Sequence, residues 1–239
     1  MPASQEPLLN LAAWVPCTEV EGPGRRFALW TQGCLLRCPG CCNPHMFALA
    51  PRWIVPVSQL VKEIAQAREQ FHIQGITLLG GEPVLQARSL AVLARECRRA
   101  ELSVMLFTGY YLEQLQEARF PGVEELLAVC DVVVAGPYRR ELPETRRNWA
   151  GSANQRFHYL TDRYGPEIET DPRFRPAIEI RFHPNGLAMW NGWPVVAATK
   201  KPPSRPLLEE DASCQPEAAP QESACPPPCS PQLRASAHC

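Results

Sequence analysis

Cys34, Cys38 and Cys41 stand at C-x3-C-x2-C within Gly33-Cys34-Leu35-Leu36-Arg37-Cys38-Pro39-Gly40-Cys41-Cys42-Asn43-Pro44. That spacing folds three thiols into one loop. Three thiolates can bind three irons of a cubane iron-sulfur cluster and leave the fourth open to a substrate or cofactor. A structural zinc site takes four ligands, and here the fourth would have to be His45 or Cys42, in awkward geometry so close to Cys41. Three incidental buried cysteines form a third reading. The thiols, however, crowd a loop containing glycine and proline instead of following a core period. The pattern therefore favours an iron-sulfur cluster.

Three other polar or glycine-rich segments follow apolar runs. In Leu79-Gly80-Gly81-Glu82-Pro83, the glycines let the backbone approach a ligand closely and Glu82 can support the loop, although Gly-Gly and Glu-Pro are also ordinary turn vocabulary. Thr108 and Gly109 in Phe107-Thr108-Gly109-Tyr110 offer a hydroxyl and a close backbone, or simply end a strand. Gly151-Ser152-Ala153-Asn154-Gln155-Arg156 is a site loop or a surface connection.

These segments need a scaffold that brings them together. Residues 27–31, 76–79, 103–107 and 131–135 read as buried strands, and 58–70 and 86–100 as helices, with Leu90, Leu93, Ala94 and Cys97 on one face of the second. Residues 112–117 and 123–128 add helical turns. Alternating strands and helices imply an α/β core around a parallel sheet, and units too few for a full barrel suggest a partial (β/α) barrel with its site at the strand C-termini. AIEIRFHP and LAMWNGWP flank Asn185-Gly186, a pair suited to a tight turn, and predict a C-terminal β-hairpin. His183 is assigned to that hairpin, and Trp190 and Trp193 to half-buried packing on it.

Residues 1–198 form the expected catalytic domain, and residues 199–239 a Pro-rich disordered tail. Cys225-Pro226-Pro227-Pro228-Cys229 in that tail, with Cys214 and Cys239, is a poor second cluster because the triple proline holds its sulfurs apart. Cys97 and Cys130 are assigned to core packing. Eleven cysteines, an odd count without a signal peptide, point to a reducing, cytoplasmic compartment. A net charge of −1 with scattered basic residues argues against nucleic acid, and no apolar run is long enough to span a membrane.

On the cysteine triad, Gly80-Gly81-Glu82-Pro83, Thr108-Gly109 and the 151–156 segment, the chain resembles the radical S-adenosylmethionine superfamily. Residues 10–195 resemble its single-cluster branch, which contains the activating protein of anaerobic ribonucleotide reductase and related glycyl-radical activating enzymes. The resemblance implies a 4Fe-4S cluster on Cys34, Cys38 and Cys41, with S-adenosylmethionine at the open iron. It places Gly80, Gly81, Glu82 and Pro83 at the methionine ammonium, Gly40, Cys41 and Cys42 against the adenine, and Thr108 and Gly109 at the same cofactor. Cys42 is then a neighbour of the cluster, not a ligand. The implied activity is reductive cleavage to a 5′-deoxyadenosyl radical that takes hydrogen from a glycine of a glycyl-radical enzyme. The implied reductant is an external carrier such as flavodoxin or ferredoxin. Relatives commonly carry an acidic residue where Ala135 precedes Gly136-Pro137, which leaves open a radical enzyme acting on a peptide or small molecule. From another class, a non-enzymatic electron carrier or redox sensor would use similar cysteines without needing an open iron.

Overall fold

Seven strands form one mixed sheet: β1 (Leu8–Thr18), β2 (Arg26–Thr31), β3 (Trp53–Pro56), β4 (Gly75–Gly80), β5 (Ser103–Thr108), β6 (Val132–Ala135) and β7 (Arg156–Tyr159). The structure is a computed structural model and describes residues 6–118, 120–174, 177–182 and 188–192. Strand order is β3-β1-β2-β4-β5-β6-β7. The centre, β2-β4-β5-β6, is parallel throughout, and β3, β1 and β7 extend it antiparallel. Every residue of β2 and β6 is buried, as expected of strands covered on both faces.

Helices complete the strand crossovers. α1 (Val57–Phe71) and α2 (Ala87–Arg99) lead into β4 and β5, and α3 (Leu112–Ala118) and α4 (Val123–Leu127) lie between β5 and β6. α1 buries Val57, Leu60, Ile64 and Ala67 at helical spacing, and α2 buries Ala87, Leu90, Ala91, Leu93, Ala94 and Cys97. These stripes pack on Phe27, Leu29, Ile76, Leu78, Val104, Leu106, Val133 and Ala135 in one core. Strand alternation sends Ala28, Trp30, Met105, Val132 and Val134 to other clusters, as a two-residue period requires.

The expected strands and both long helices are present to within a few residues. β1, β3 and β7 were not foreseen, and all three are antiparallel additions outside the alternating strand-helix repeat. Cys97 and Cys130 are core residues. Ala135 packs with Val133 in the helix-side core.

A separate hairpin pairs β8 (Ile178–Phe182) with β9 (Ala188–Gly192). Its packing departs from expectation. Trp190 is 63% exposed, and Ile180 and Phe182 are 58% and 80% exposed. The hairpin is held instead by polar groups. Asn191 Nδ2 donates to Thr18 Oγ1 at 3.0 Å and to Glu21 Oε1 at 3.2 Å, Gly192 N–H donates to Glu21 Oε1 at 2.8 Å, and Arg181 reaches the Cys17 carbonyl at 2.9 Å. The hairpin turn with His183, Asn185 and Gly186, together with Trp193 and the 199–239 segment with its four cysteines, lies outside the described residues. Among the described residues, no helix is long and apolar enough to cross a membrane.

Candidate functional site

The cysteine loop leaves β2 at its C-terminal end and reverses twice. Gly33 has φ +100, and its N–H bonds the Met46 carbonyl at 2.9 Å, while Cys34 N–H bonds the Phe47 carbonyl at 3.2 Å. The returning chain thus straps the loop entrance. Arg37, between the first two cysteines, has φ 47, and Gly40, between the last two, has φ 77. Left-handed backbone at both places turns the chain back on itself, and Cys41 N–H closes a turn on the Cys38 carbonyl at 3.1 Å. All three cysteines are free thiols, with Cys34 buried and Cys38 and Cys41 half-buried.

Electrostatics couple the three sulfurs. Burial pushes the Cys34 and Cys38 thiols up, and the other cysteines of the triad add to the rise. Nearby backbone N–H groups oppose the rise, those of Leu36 and Arg37 at Cys34 and that of Tyr138 at Cys38. Cys41 behaves differently. The neighbouring Cys42 thiol holds Cys41 below the ordinary thiol range, and Cys42 itself is pushed above it. Asn43 N–H reaches the same Cys41 sulfur at 3.4 Å. Cys42 itself is exposed.

The Gly80–Pro83 turn lies directly against this loop. Gly81 N–H bonds the Thr31 carbonyl and Glu82 N–H the Gly33 carbonyl, both at 2.8 Å. Neither glycine has room for a side chain. A Cβ on Gly81 would stand 2.3 Å from the Gly33 carbonyl oxygen, and one on Gly80, at φ +115, 2.4 Å from Thr31 N. Pro83 opens a 3-10 turn (Pro83–Gln86) leading into α2.

Glu82 is wholly buried and joins this turn to the end of β5. Oε1 accepts from Val84 N–H at 3.2 Å and from Thr108 Oγ1 at 2.9 Å, and Oε2 accepts from Gly109 N–H at 2.8 Å. Burial raises its pKa to about 7, and those three hydrogen bonds only partly offset the loss of water. Thr108 and Gly109 therefore meet Glu82. The bare Cα of Gly109 also makes room for Leu36, because a Cβ there would fall 2.3 Å from Leu36 Cδ1.

Several contributors had no strong sequence signal. Gln32 immediately precedes the loop, donates to the Ala48 carbonyl at 2.8 Å, and keeps Oε1 buried without a partner. Gln86 Nε2 ties the Gln32 carbonyl to that of Asn10, at 3.1 and 2.9 Å. The exit from β6 also reaches the site. Pro137, Tyr138, Arg139 and Glu141 face Leu36, Cys38 and Pro39 across a cleft of about 290 Å³, and Arg140 covers Gly40. Only a glutamine beside a glycine, or a Gly-Pro after a buried strand, hinted at these roles. His45 is exposed in a 3-10 turn (Pro44–Met46) just after the loop.

Comparison with known proteins gives this geometry a family. The model of the 4Fe-4S single cluster domain matches residues 20–158. The chain belongs to the 4Fe-4S single-cluster family. An anaerobic ribonucleoside-triphosphate reductase-activating protein of Enterobacteria phage T4 is 35% identical over 158 residues, covering 64% of this chain and 96% of that protein. The protein of the same name from Vibrio cholerae is 31% identical over 160 residues, covering 64% and 99%. Pyruvate formate-lyase 1-activating enzyme of Escherichia coli is 32% identical over 142 residues, covering 59% of this chain and 56% of that enzyme.

The thiol loop suits the cluster of a 4Fe-4S single-cluster protein. Among the described residues, no three His, Cys, Asp or Glu side chains are grouped to hold one metal ion. A cubane asks for something else: each thiolate meets its own iron, so the sulfurs stand apart. Free thiols gathered in one loop, with the Asn43 N–H on the Cys41 sulfur, fit that requirement.

Proposed function

We propose that this protein is a radical S-adenosylmethionine enzyme that activates a glycyl-radical enzyme of the anaerobic ribonucleotide reductase type by taking a hydrogen atom from a partner glycine. One observation carries the reading. The Glu82 N–H to Gly33 carbonyl bond seats the Gly80–Pro83 turn on the cysteine loop, so a ligand at an open iron would also meet the turn. An electron carrier with a closed cluster has no use for that juxtaposition. The relatives named as activating proteins supply the partner class.

Cys34, Cys38 and Cys41 would hold the cluster, which when bound supplies the electron that breaks a carbon-sulfur bond of the sulfonium to give methionine and a 5′-deoxyadenosyl radical. The chain's own residues bind and orient. Gly80 and Gly81 present bare backbone to the methionine ammonium, and Pro83 sets the direction in which the chain leaves the turn. Glu82 keeps the turn and the Thr108-Gly109 strand end at a fixed separation, so these two residues act on the cofactor site through Glu82. Gly40, Cys41 and Cys42 form the wall for the adenine. The parallel β2-β4-β5-β6 strands, with the cysteine loop and the Gly80–Pro83 turn at their C-terminal ends, support the partial-barrel reading, in which that end receives the substrate. A flavodoxin or ferredoxin would deliver the electron in the cytoplasm.

The test is anaerobic reconstitution with iron and sulfide, reduction with dithionite, and chromatographic assay for 5′-deoxyadenosine from added S-adenosylmethionine. Electron paramagnetic resonance of a co-incubated anaerobic ribonucleotide reductase then reads the glycyl radical. Formation of both products is expected, with Cys34→Ala, Cys38→Ala and Cys41→Ala each abolishing them. Full cleavage by Cys38→Ala would refute the ligand set. A cluster-loaded wild-type protein that makes no 5′-deoxyadenosine would instead establish electron transfer or sensing.

A further inference from the structure

Arg37, Arg139 and Arg140 are exposed beside the cysteine loop. Among the described residues their side chains make no ion pair and no hydrogen bond, unlike Arg98, Arg147 and Arg156, each of which meets a carboxylate. Two segments carry them, the loop 33–44 and the β6 exit 136–143, which border the cleft of about 290 Å³ that Cys38 lines. The two segments hold three positive charges against one negative, Glu141, in a chain whose net charge is −1. Leu35 and Leu142 add exposed apolar surface to the same segments.

The backbone beneath these charges is fixed. Arg139 N–H donates to Ser152 Oγ at 3.1 Å, Gln155 Nε2 donates to the Gly136 carbonyl at 3.1 Å, and Asn154 Nδ2 to the Pro137 carbonyl at 2.8 Å. The stem of Arg140 lies over Gly40, where a Cβ would stand 3.1 Å from its Cδ. One guanidinium is thus carried over the turn between Cys38 and Cys41, and Arg37 stands between Cys34 and Cys38. A guanidinium stays charged at any pH at which the protein works. Like charges held together without counter-ions repel one another in the free protein and attract an anionic surface.

Electron transfer slows steeply with distance, so a protein donor must seat its redox group close to the cluster it reduces. Encounters of this kind bury less than about 1,200 Å² and depend on charge steering more than on area. We propose that Arg37, Arg139 and Arg140 form the docking surface of an acidic one-electron carrier protein, which delivers its electron across the cleft beside Cys38. The carrier loses one electron and the cluster gains it; no atom moves. The inference deepens the function proposed above and rests on its cluster ligation.

Charge reversal of the full chain tests it, with Arg139→Glu and Arg140→Glu combined and the Arg139→Lys, Arg140→Lys protein as the conservative control. Each is reconstituted to matched iron content. Reduction by flavodoxin hydroquinone is followed by stopped-flow bleaching of the cluster's visible absorbance. At an ionic strength of about 10 mM, where the Debye length is about 30 Å, the second-order rate constant of the reversed protein should fall about tenfold. The difference should vanish near 1 M, where that length is about 3 Å. The lysine protein should stay within about twofold of wild type, and reduction by dithionite should be unchanged in all three. Binding of oxidised flavodoxin to the metal-free proteins should weaken about tenfold on reversal. A flavodoxin rate that ignores the reversal, or no reduction by flavodoxin of a cluster that dithionite reduces, overturns the proposal. So does an intact flavodoxin rate with a lower glycyl-radical yield under dithionite, because the face then seats the partner enzyme. A wild-type protein that holds no cluster reducible by dithionite refutes the proposed function instead.

Discussion

Replacing Glu82 by Gln separates the cost of burying a charge from the value of the bonds it makes. The carboxylate is 1% exposed, and its pKa rises from an ordinary 4.5 to about 7. The folded protein therefore holds this proton more tightly than the unfolded chain does. Stability from this group is fully present below pH 4.5 and is lost as pH rises through about 7, a loss of about 3 kcal/mol. Glutamine does not titrate and has no such slope. It does carry a fixed penalty. Its NH2 group cannot accept, and both carboxylate oxygens of Glu82 accept a backbone N–H, from Val84 and from Gly109. One N–H is left facing a donor, at about 1–3 kcal/mol. In urea unfolding of the metal-free protein under anaerobic, reducing conditions, Glu82→Gln should be the less stable protein near pH 5. The gap should close or reverse by about 3 kcal/mol near pH 8. Glu21, also raised to about 7 by burial, is common to both proteins and cancels in the difference. A wild-type-minus-variant difference that stays flat from pH 5 to 8 would refute a desolvated carboxylate at this position.

Gly81→Ala drives a Cβ to within 2.3 Å of the Gly33 carbonyl oxygen and must part the turn from the cysteine loop, so we expect about 1–3 kcal/mol of lost stability and weaker iron retention. Wild-type iron stoichiometry after gel filtration would contradict this. Asp131 is fully buried and accepts from Arg98 at 2.5 Å, Thr161 Oγ1 at 2.6 Å and Val104 N–H at 2.8 Å, so Asp131→Ala should cost about 3–5 kcal/mol in urea unfolding. A cost below about 1 kcal/mol would mean that the pair contributes little to holding β5 beside β6.

The cysteine triad and the central strands were legible because their signals are local. A C-x3-C-x2-C spacing brings its sulfurs into one loop whatever lies elsewhere in the chain, and buried parallel strands such as 131–135 announce themselves as β-branched runs. Asn185-Gly186 likewise marked the hairpin through the turn it favours. β3 stayed hidden for the opposite reason, since its partner β1 lies far upstream; β1 meets β2 across a short connection, but its irregular register gives no clean two-residue alternation. Trp190 shows the limit of composition. An aromatic on a ribbon is normally packed, yet this ribbon is held through Asn191, Gly192 and Arg181, and only the positions of Thr18, Glu21 and the Cys17 carbonyl dictate that.

The sequence by itself determined which thiols share one loop and which segments end in glycine-rich turns, since residue type and short spacing are covalent properties. Only the tertiary structure decided that Glu82 gives its carboxylate to Thr108 and Gly109, that Gly81 is bare because Gly33 lies against it, and that Tyr138 lines one cleft with Cys38. Each of these is a hydrogen bond or close contact between segments that meet only after the sheet has formed, and no local pattern encodes the partner.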